Sequence, residues 1–370
     1  MKIGLIYHQF IRAGGLENYL IEFATRLGAQ GHELHVITSR VATDVREKLK
    51  ATWHEIGRLP TPIIRLVHFD LAAAAMVRKL PLDVTIGFGR TSTHDFHRAG
   101  GGCHALYSRV LPWWKRWSPK NLLELVLEKK LYTAGHTQHF VMNSAEVMRD
   151  IEELYPECEG KCSVIHTAVD TTNYKPAANR AEHRVAACAQ LKTDASKPVG
   201  LFVSLSHRRK GLDALLAAWK HIDATLWIAG RELDRRYRKQ IEHHGIADKV
   251  RALPPVKDLT PLYQAADWFV HPTLYDACAN TALQSMACGL PGIISVNDGV
   301  IDHVRDGENG LLLHEPSNVE ALRELLVNAF KVSTDERDAM GQRAREAMLP
   351  LTWEAHVAKW MVLMQKNPVS

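Results

Sequence analysis

Two stretches of this 370-residue sequence carry residue types able to do polar chemistry where a strand hands over to a helix. Residues 206–211 read SHRRKG between a buried-strand pattern and an amphipathic one. There Arg209 offers a guanidinium fork and Lys210 a point charge, a pair suited to neutralising a diphosphate. Residues 271–295, HPTLYDACANTALQSMACGLPGIIS, run from a strand through a loop of small residues into a helix and a second strand. Ala277, Cys278 and Ala279 leave the backbone accessible. The N–H groups of Asn280 and Thr281 open a helix whose positive end suits the same diphosphate. Asp276 can accept hydrogen bonds from hydroxyls, as can the amide oxygen of Gln284 eight residues on. That is the chemistry of polyol recognition.

The first half contributes less explicit signals. Gly14-Gly15 follows the first apolar run and precedes a helix, which permits a tight turn and close approach of a phosphate or sugar to the backbone. It is not a dinucleotide fingerprint, because Asn18 and Tyr19 stand where the third glycine belongs. His104 sits in a glycine-rich segment, HRAGGGCHALY at 97–107, and is a candidate catalytic side chain against a background of twenty histidines. Six cysteines without a CxxC pair fit free thiols in a reducing, cytosolic setting, and no DxD-type cluster for a divalent metal stands out.

Alternating elements must position these residues. Short apolar runs at Ile3–Tyr7, Glu33–Thr38, Val84–Phe88 and Gln138–Met142 alternate with amphipathic stretches such as Leu16–Leu27 and Ala145–Leu154. After a polar, turn-rich connection the alternation restarts, with strands expected at Gly200–Ser204, Leu226–Ala229, Trp268–His271 and Gly292–Ser295. The chain reads as helical from Glu336 almost to its end. The class is α/β, two doubly wound halves with a cleft between them. No run approaches the length of a membrane span, and the opening MKIGLIYHQF reads as a buried strand rather than a leader.

The formal charge of +5 is local. Between Arg98 and Lys130 there are seven Lys/Arg and two Asp/Glu, so the rest of the chain is neutral overall. Within that window LPWWKRWSPK interleaves Trp113, Trp114 and Trp117 with Lys115 and Arg116. Tryptophan beside Lys/Arg suits the headgroup region of an anionic membrane surface. A long basic stripe is missing, which argues against nucleic acid as a partner.

Taken together, AGGLENYL at 13–20, VIHTAVDTTNYKP at 164–176, SHRRKGLD at 206–213, the 271–291 stretch and DGENGLLL from Asp306 resemble a known family. They are similar to the GT-B glycosyltransferases of family 4, and within them the lipopolysaccharide core glucosyltransferases, over nearly the whole chain. The resemblance implies two facing Rossmann-like domains. Residues 1–170 would bind the acceptor, 171–345 a nucleotide-sugar donor, and 346–370 would pack back on the first domain. It places Gly15 against the donor sugar or its diphosphate, and makes Arg209 and Lys210 the cations that stabilise the departing nucleotide diphosphate. Asp276 and Gln284 fall on the two ends of the family's Glu-x7-Glu motif, a departure in both residues. Gly101 stands where some relatives carry an acid, which leaves His104 or His97 as substitutes.

The implied activity is retaining transfer of a hexose, glucose first, to a lipopolysaccharide-core or similar glycolipid. The enzyme would be peripheral on the cytoplasmic face of the inner membrane and would use no metal or other cofactor. Two alternatives stay open: a catalytically impaired GT-B scaffold, suggested by Gln284 and Gly101, and an NAD(P)-linked Rossmann oxidoreductase.

Overall fold

The structure, a computed structural model, describes residues 1–12 and 14–367; Ala13, at the head of the AGGLENYL segment, lies outside them. The chain forms two compact units, Met1–Thr167 together with Trp353 onward, and Ala168–Thr352.

Val-, Ile- and Leu-rich runs form parallel strands covered on both faces. Among the described residues the first unit's strands are β1 Lys2–Ile6, β2 Glu33–Thr38, β3 Thr52–Glu55, β4 Val84–Gly87, β5 Phe96–Ala99, β6 His139–Met142 and β7 Cys162–Val164. They lie in the order β3-β2-β1-β4-β5-β6-β7, all parallel. The second unit's strands are β8 Val199–Ser204, β9 Thr225–Gly230, β10 Val250–Ala252, β11 Trp268–His271, β12 Gly292–Ser295 and β13 Gly310–Leu313. Their order is β10-β9-β8-β11-β12-β13, again all parallel. Chain order reverses between β1 and β4 in one sheet and between β8 and β11 in the other. At such a reversal the carboxyl edge of an open α/β sheet opens a crevice for ligands.

Each sheet packs apolar side chains on both sides. In β8, Leu201 and Val203 join Trp227 and Phe269 on one face, while Phe202 joins Leu226, Ile228 and Trp268 on the other. The first unit's core gathers Ile3, Leu5, Val36, Ile86 and Phe23. Val357, Trp360 and Met364 of the helix Trp353–Lys366 complete it.

The second unit ends later than the sequence placed it. The helix Thr334–Met348 runs through residue 345 and packs on the helix Asn280–Ala287. A Cβ at Gly341 would meet the Gly289 carbonyl oxygen at 2.1 Å. Residues 346–352 therefore stay with the second unit. The continuous terminal helix expected after Glu336 is two helices, interrupted around Pro350, which has no N–H to donate to a helix.

Candidate active site

The SHRRKG turn is pinned to the loop that leaves β11. Gly211 takes φ +81°, and a Cβ there would fall 2.0 Å from the Pro272 carbonyl oxygen, so only glycine lets the two segments approach. Leu274 N–H donates to the Arg209 carbonyl at 2.8 Å, and Thr273 Oγ1 donates to the same oxygen at 3.2 Å. This backbone stitching brings Arg209, Lys210 and Asp276 together. Arg209 Nη1 donates to Asp276 Oδ2 at 2.9 Å and to the Tyr275 carbonyl at 3.2 Å. The Lys210 ammonium, only 7% exposed, donates to the same carboxylate oxygen and stands 3.1 Å from His271 Nε2.

The electrostatics follow from that geometry. Burial alone would raise the Asp276 pKa, but the charges of Lys210 and Arg209 outweigh it and hold the carboxyl below the usual range. His271, fully buried, is pushed down by burial and then by Lys210, so its ring is neutral at physiological pH. Asp298 completes the floor. Its Oδ1 accepts from the backbone N–H groups of Ala279 and Val300, each at 3.0 Å, and so fixes the start of the helix Asn280–Ala287. Sequence reasoning passed over Asp298, whose signal, an Asp-Gly pair after β12, looks like an ordinary turn. His271, Asp276 and Asp298 could together offer donors to a cation. The Lys210 ammonium already lies against two of the three.

Not every expected residue joins this cluster. Gln284, on the helix Asn280–Ala287, accepts from the Tyr263 hydroxyl at 3.3 Å. Asn280 and Thr281 occupy the first turn, half-buried. Arg208, first of the three consecutive cations, leaves the other two and lines an open cavity of about 420 Å³ with Asp213, Arg236 and Ser317.

In the first unit, Gly15 begins the helix Gly15–Ala29 at the carboxyl end of β1. His104 is buried where the helix Pro119–Thr133 crosses below it. Its Nε2 lies 2.9 Å from Asn121 Oδ1 and 3.2 Å from Glu124 Oε2, while its backbone N–H donates to Glu128 at 2.6 Å. Burial first, and the nearby Arg90 next, push its pKa down to about 4. The imidazole expected to be catalytic is thus a neutral ring tied to Asn121 and Glu124. Gly101 is exposed, and among the described residues nothing stands within 4 Å of an added Cβ.

The tryptophan segment stands outside the core: Trp113, Trp114 and Trp117 are 73%, 56% and 67% exposed, with Lys115 and Arg116 exposed between them. The following helix, Pro119–Thr133, buries a mixed polar and apolar face. Asn121, Leu127, Glu128, Leu131 and Tyr132 are buried, while Leu122 and Val126 face solvent. The helix Pro62–Val77, unmarked in the sequence, packs beside it through Lys130 Nζ and Asp70 at 2.9 Å and exposes Ile63, Ile64, Val67 and Leu71.

Comparison with known proteins accounts for both units. Residues 13–173 match the family described as Glycosyltransferase Family 4, and residues 187–347 match Glycosyl transferases group 1. A probable transglycosylase of Burkholderia thailandensis is 27% identical over 336 residues, covering 90% of this chain and 87% of the relative. The crystal structure of WaaG, a glycosyltransferase involved in lipopolysaccharide biosynthesis, superposes with a TM-score of 0.82 at 19% identity, covering 96% of this chain and 99% of that one. Anabaena HepE in complex with UDP-glucose gives 0.76 at 16% identity, covering 99% and 100%. With two parallel-sheet Rossmann-like units and a family match on each, the chain belongs to the GT-B glycosyltransferases of the family 4 type, and is an enzyme of glycosyl transfer.

Proposed function

We propose that this enzyme moves glucose from UDP-glucose, with retention of configuration, onto a lipopolysaccharide-core or similar glycolipid. The reading rests above all on one observation, the Lys210 ammonium and Arg209 guanidinium gathered on Asp276 at the carboxyl edge of β8 and β11. When the bond from the anomeric carbon to the diphosphate oxygen breaks, negative charge builds on that oxygen. Two cations already held in place stabilise it without reorganising, and losing one such donor typically costs about 3–4 kcal/mol of barrier. The acceptor hydroxyl attacks the same face, and its proton passes to the departing diphosphate oxygen. Asn280 and Thr281 present the helix start to the diphosphate, Gly15 faces the donor, Asp276 meets the transferred sugar, and Gln284 meets the ribose.

The Lys210 ammonium supplies a buried positive charge beside His271 and Asp276, so we assign the reaction no metal requirement. Likeness to HepE with UDP-glucose and to WaaG supports the donor and acceptor classes. The exposed Trp113, Trp114 and Trp117 with Lys115 and Arg116 support an acceptor met at an anionic membrane surface, with the enzyme peripheral on the cytoplasmic face of the inner membrane. Among the described residues no helix is long and apolar enough to cross a membrane.

A thermal-shift panel of UDP-, GDP- and ADP-sugars, each with and without EDTA, tests the donor assignment, because a ligand raises apparent stability by RT ln(1 + [L]/Kd). UDP-glucose is expected to give the largest shift, unchanged by EDTA. A larger shift from another sugar nucleotide, or one abolished by EDTA, would replace this reading.

A further inference from the structure

In the first unit, charged side chains from separate elements gather at the carboxyl edge where chain order reverses between β1 and β4. Gly89 follows β4 so close to the end of β1 that an added Cβ would stand 3.3 Å from the Tyr7 ring, which sets Arg90 beside His8. The charges that reach His8 are Glu17 from the helix Gly15–Ala29, Arg65 from the helix Pro62–Val77, Arg90, and Lys120 from the helix Pro119–Thr133. Burial above all pushes the His8 pKa down, so the ring is neutral and adds no charge of its own.

Two of these cations converge on one oxygen that neither of them bonds. Arg90 Nη1 and Lys120 Nζ each stand 3.8 Å from Glu124 Oε1, beyond hydrogen-bond distance. The Arg90 guanidinium makes no hydrogen bond among the described residues, although its Nε is buried. The other Glu124 oxygen, Oε2, faces the neutral His104 ring at 3.2 Å. Arg65 donates to the Leu59 and Pro60 carbonyls at 3.1 and 3.0 Å. Glu17 is taken up by the Tyr7 hydroxyl at 3.3 Å and Gln9 Nε2 at 2.8 Å. A guanidinium fork is shaped for two parallel bonds to one oxyanion, and here a single loose carboxylate oxygen stands in for it.

We propose that Arg90 is a specificity-determining residue for the acceptor, and that with Lys120 it takes an oxyanion, a phosphate or carboxylate carried by the acceptor saccharide, in competition with Glu124. Giving the anion to the acceptor rests on the glycosyl-transfer reading; the anion site itself does not. Glu124 makes the proposal directional. A site with a carboxylate already in it holds an anion less tightly than its two cations would alone. Removing Glu124's charge therefore strengthens anion binding, while removing Arg90 weakens it. Residues that only support the fold would not give opposite signs.

The test uses the full chain carrying Arg209→Ala and Lys210→Ala, so that the second unit's cations are silent, with inorganic phosphate and acetate as separate probes in calorimetric titration. Arg90→Met should weaken binding of the preferred anion about tenfold, and Glu124→Gln should tighten it severalfold. Arg90→Lys, which keeps the charge and loses the fork, should fall between parent and methionine variant and covers the case in which the latter does not fold. In the otherwise intact enzyme, Arg90→Lys should raise KM for the acceptor and leave KM for the nucleotide sugar unchanged. Acceptor dephosphorylated with hydrogen fluoride should lose its sensitivity to Arg90→Lys if phosphate supplies the anion, and keep it if a carboxylate does. Anion binding absent from the parent chain, equal in all variants, or weakened by both Arg90→Met and Glu124→Gln would overturn the proposal. So would a rise in KM for the nucleotide sugar alone. Opposite shifts in anion binding without any sugar transfer would instead spare this site and refute the proposed reaction.

Discussion

At the scale of single residues the second unit's chemistry is a matter of who shares Asp276. Arg209 and Lys210 both use it as counter-ion, so their charges are held in place. The pair was legible in the sequence because SHRRKG stands at a strand-to-helix junction. Asp298 was not, because its role depends on backbone N–H groups nineteen positions back at Ala279, a contact that no local pattern encodes. His104 shows what a local pattern leaves out. A glycine-rich setting marks a tight segment but cannot reveal that Asn121 and Glu124 will bind the ring. With its pKa pushed down to about 4, His104 stays neutral from pH 5 upward. The pH profile of kcat should therefore keep its shape in His104→Asn; an inflection in the neutral range present in wild type and lost in that variant would restore the imidazole to the chemistry.

At the scale of elements, the helix Pro119–Thr133 turns Glu128 inward because the carboxylate receives the backbone N–H groups of His104 and Ala105 at 2.6 and 2.8 Å and the Tyr155 hydroxyl at 3.0 Å. That displaces Leu122 and Val126 to the surface, where they extend the tryptophan segment. From the sequence, Leu122, Leu125 and Val126 share one face of this helix and Glu124 and Glu128 another; which positions pack inward depends on the segment the helix must satisfy. The basic window is also less basic at the surface than by count, for Arg98 is buried in β5. Replacing Trp113, Trp114 and Trp117 together by serine should leave the melting temperature nearly unchanged, because all three are exposed. It should weaken co-flotation with vesicles containing anionic lipid, where each nearby cation contributes about 1 kcal/mol. Equal recovery of variant and wild type would place the membrane contact elsewhere.

At the scale of the whole molecule, the two-unit architecture was readable from strands whose apolar runs are long and buried on both sides. The edge strands β3, TWHE, and β10, VRA, were not, being short, polar and half-exposed. β5, FHRA, hid because its His97 and Arg98 are buried polar residues. The second unit is tied together by Asp267, buried and met by Arg180, Arg184 and Arg337 at 2.9, 2.6 and 3.0 Å. Burial would raise its pKa, but the three guanidiniums outweigh burial and lower it. A carboxyl depressed in the folded state contributes stability above its unfolded pKa and loses it as pH falls through the folded value. Asp267→Asn should therefore cost about 3–5 kcal/mol in urea unfolding at neutral pH. The gap to wild type should narrow below about pH 4. A difference that stays constant down to acid pH would remove the ionised carboxylate from this account.

The transfer reaction itself remains the most direct test. Wild type and Lys210→Ala, matched by circular dichroism, would be compared in single-turnover transfer of glucose from UDP-glucose to a purified lipopolysaccharide core acceptor. Transfer by wild type, slowed about 100- to 1,000-fold by the substitution, is the predicted result. Equal rates in the two proteins, or no nucleotide-sugar-dependent transfer by wild type, would contradict it.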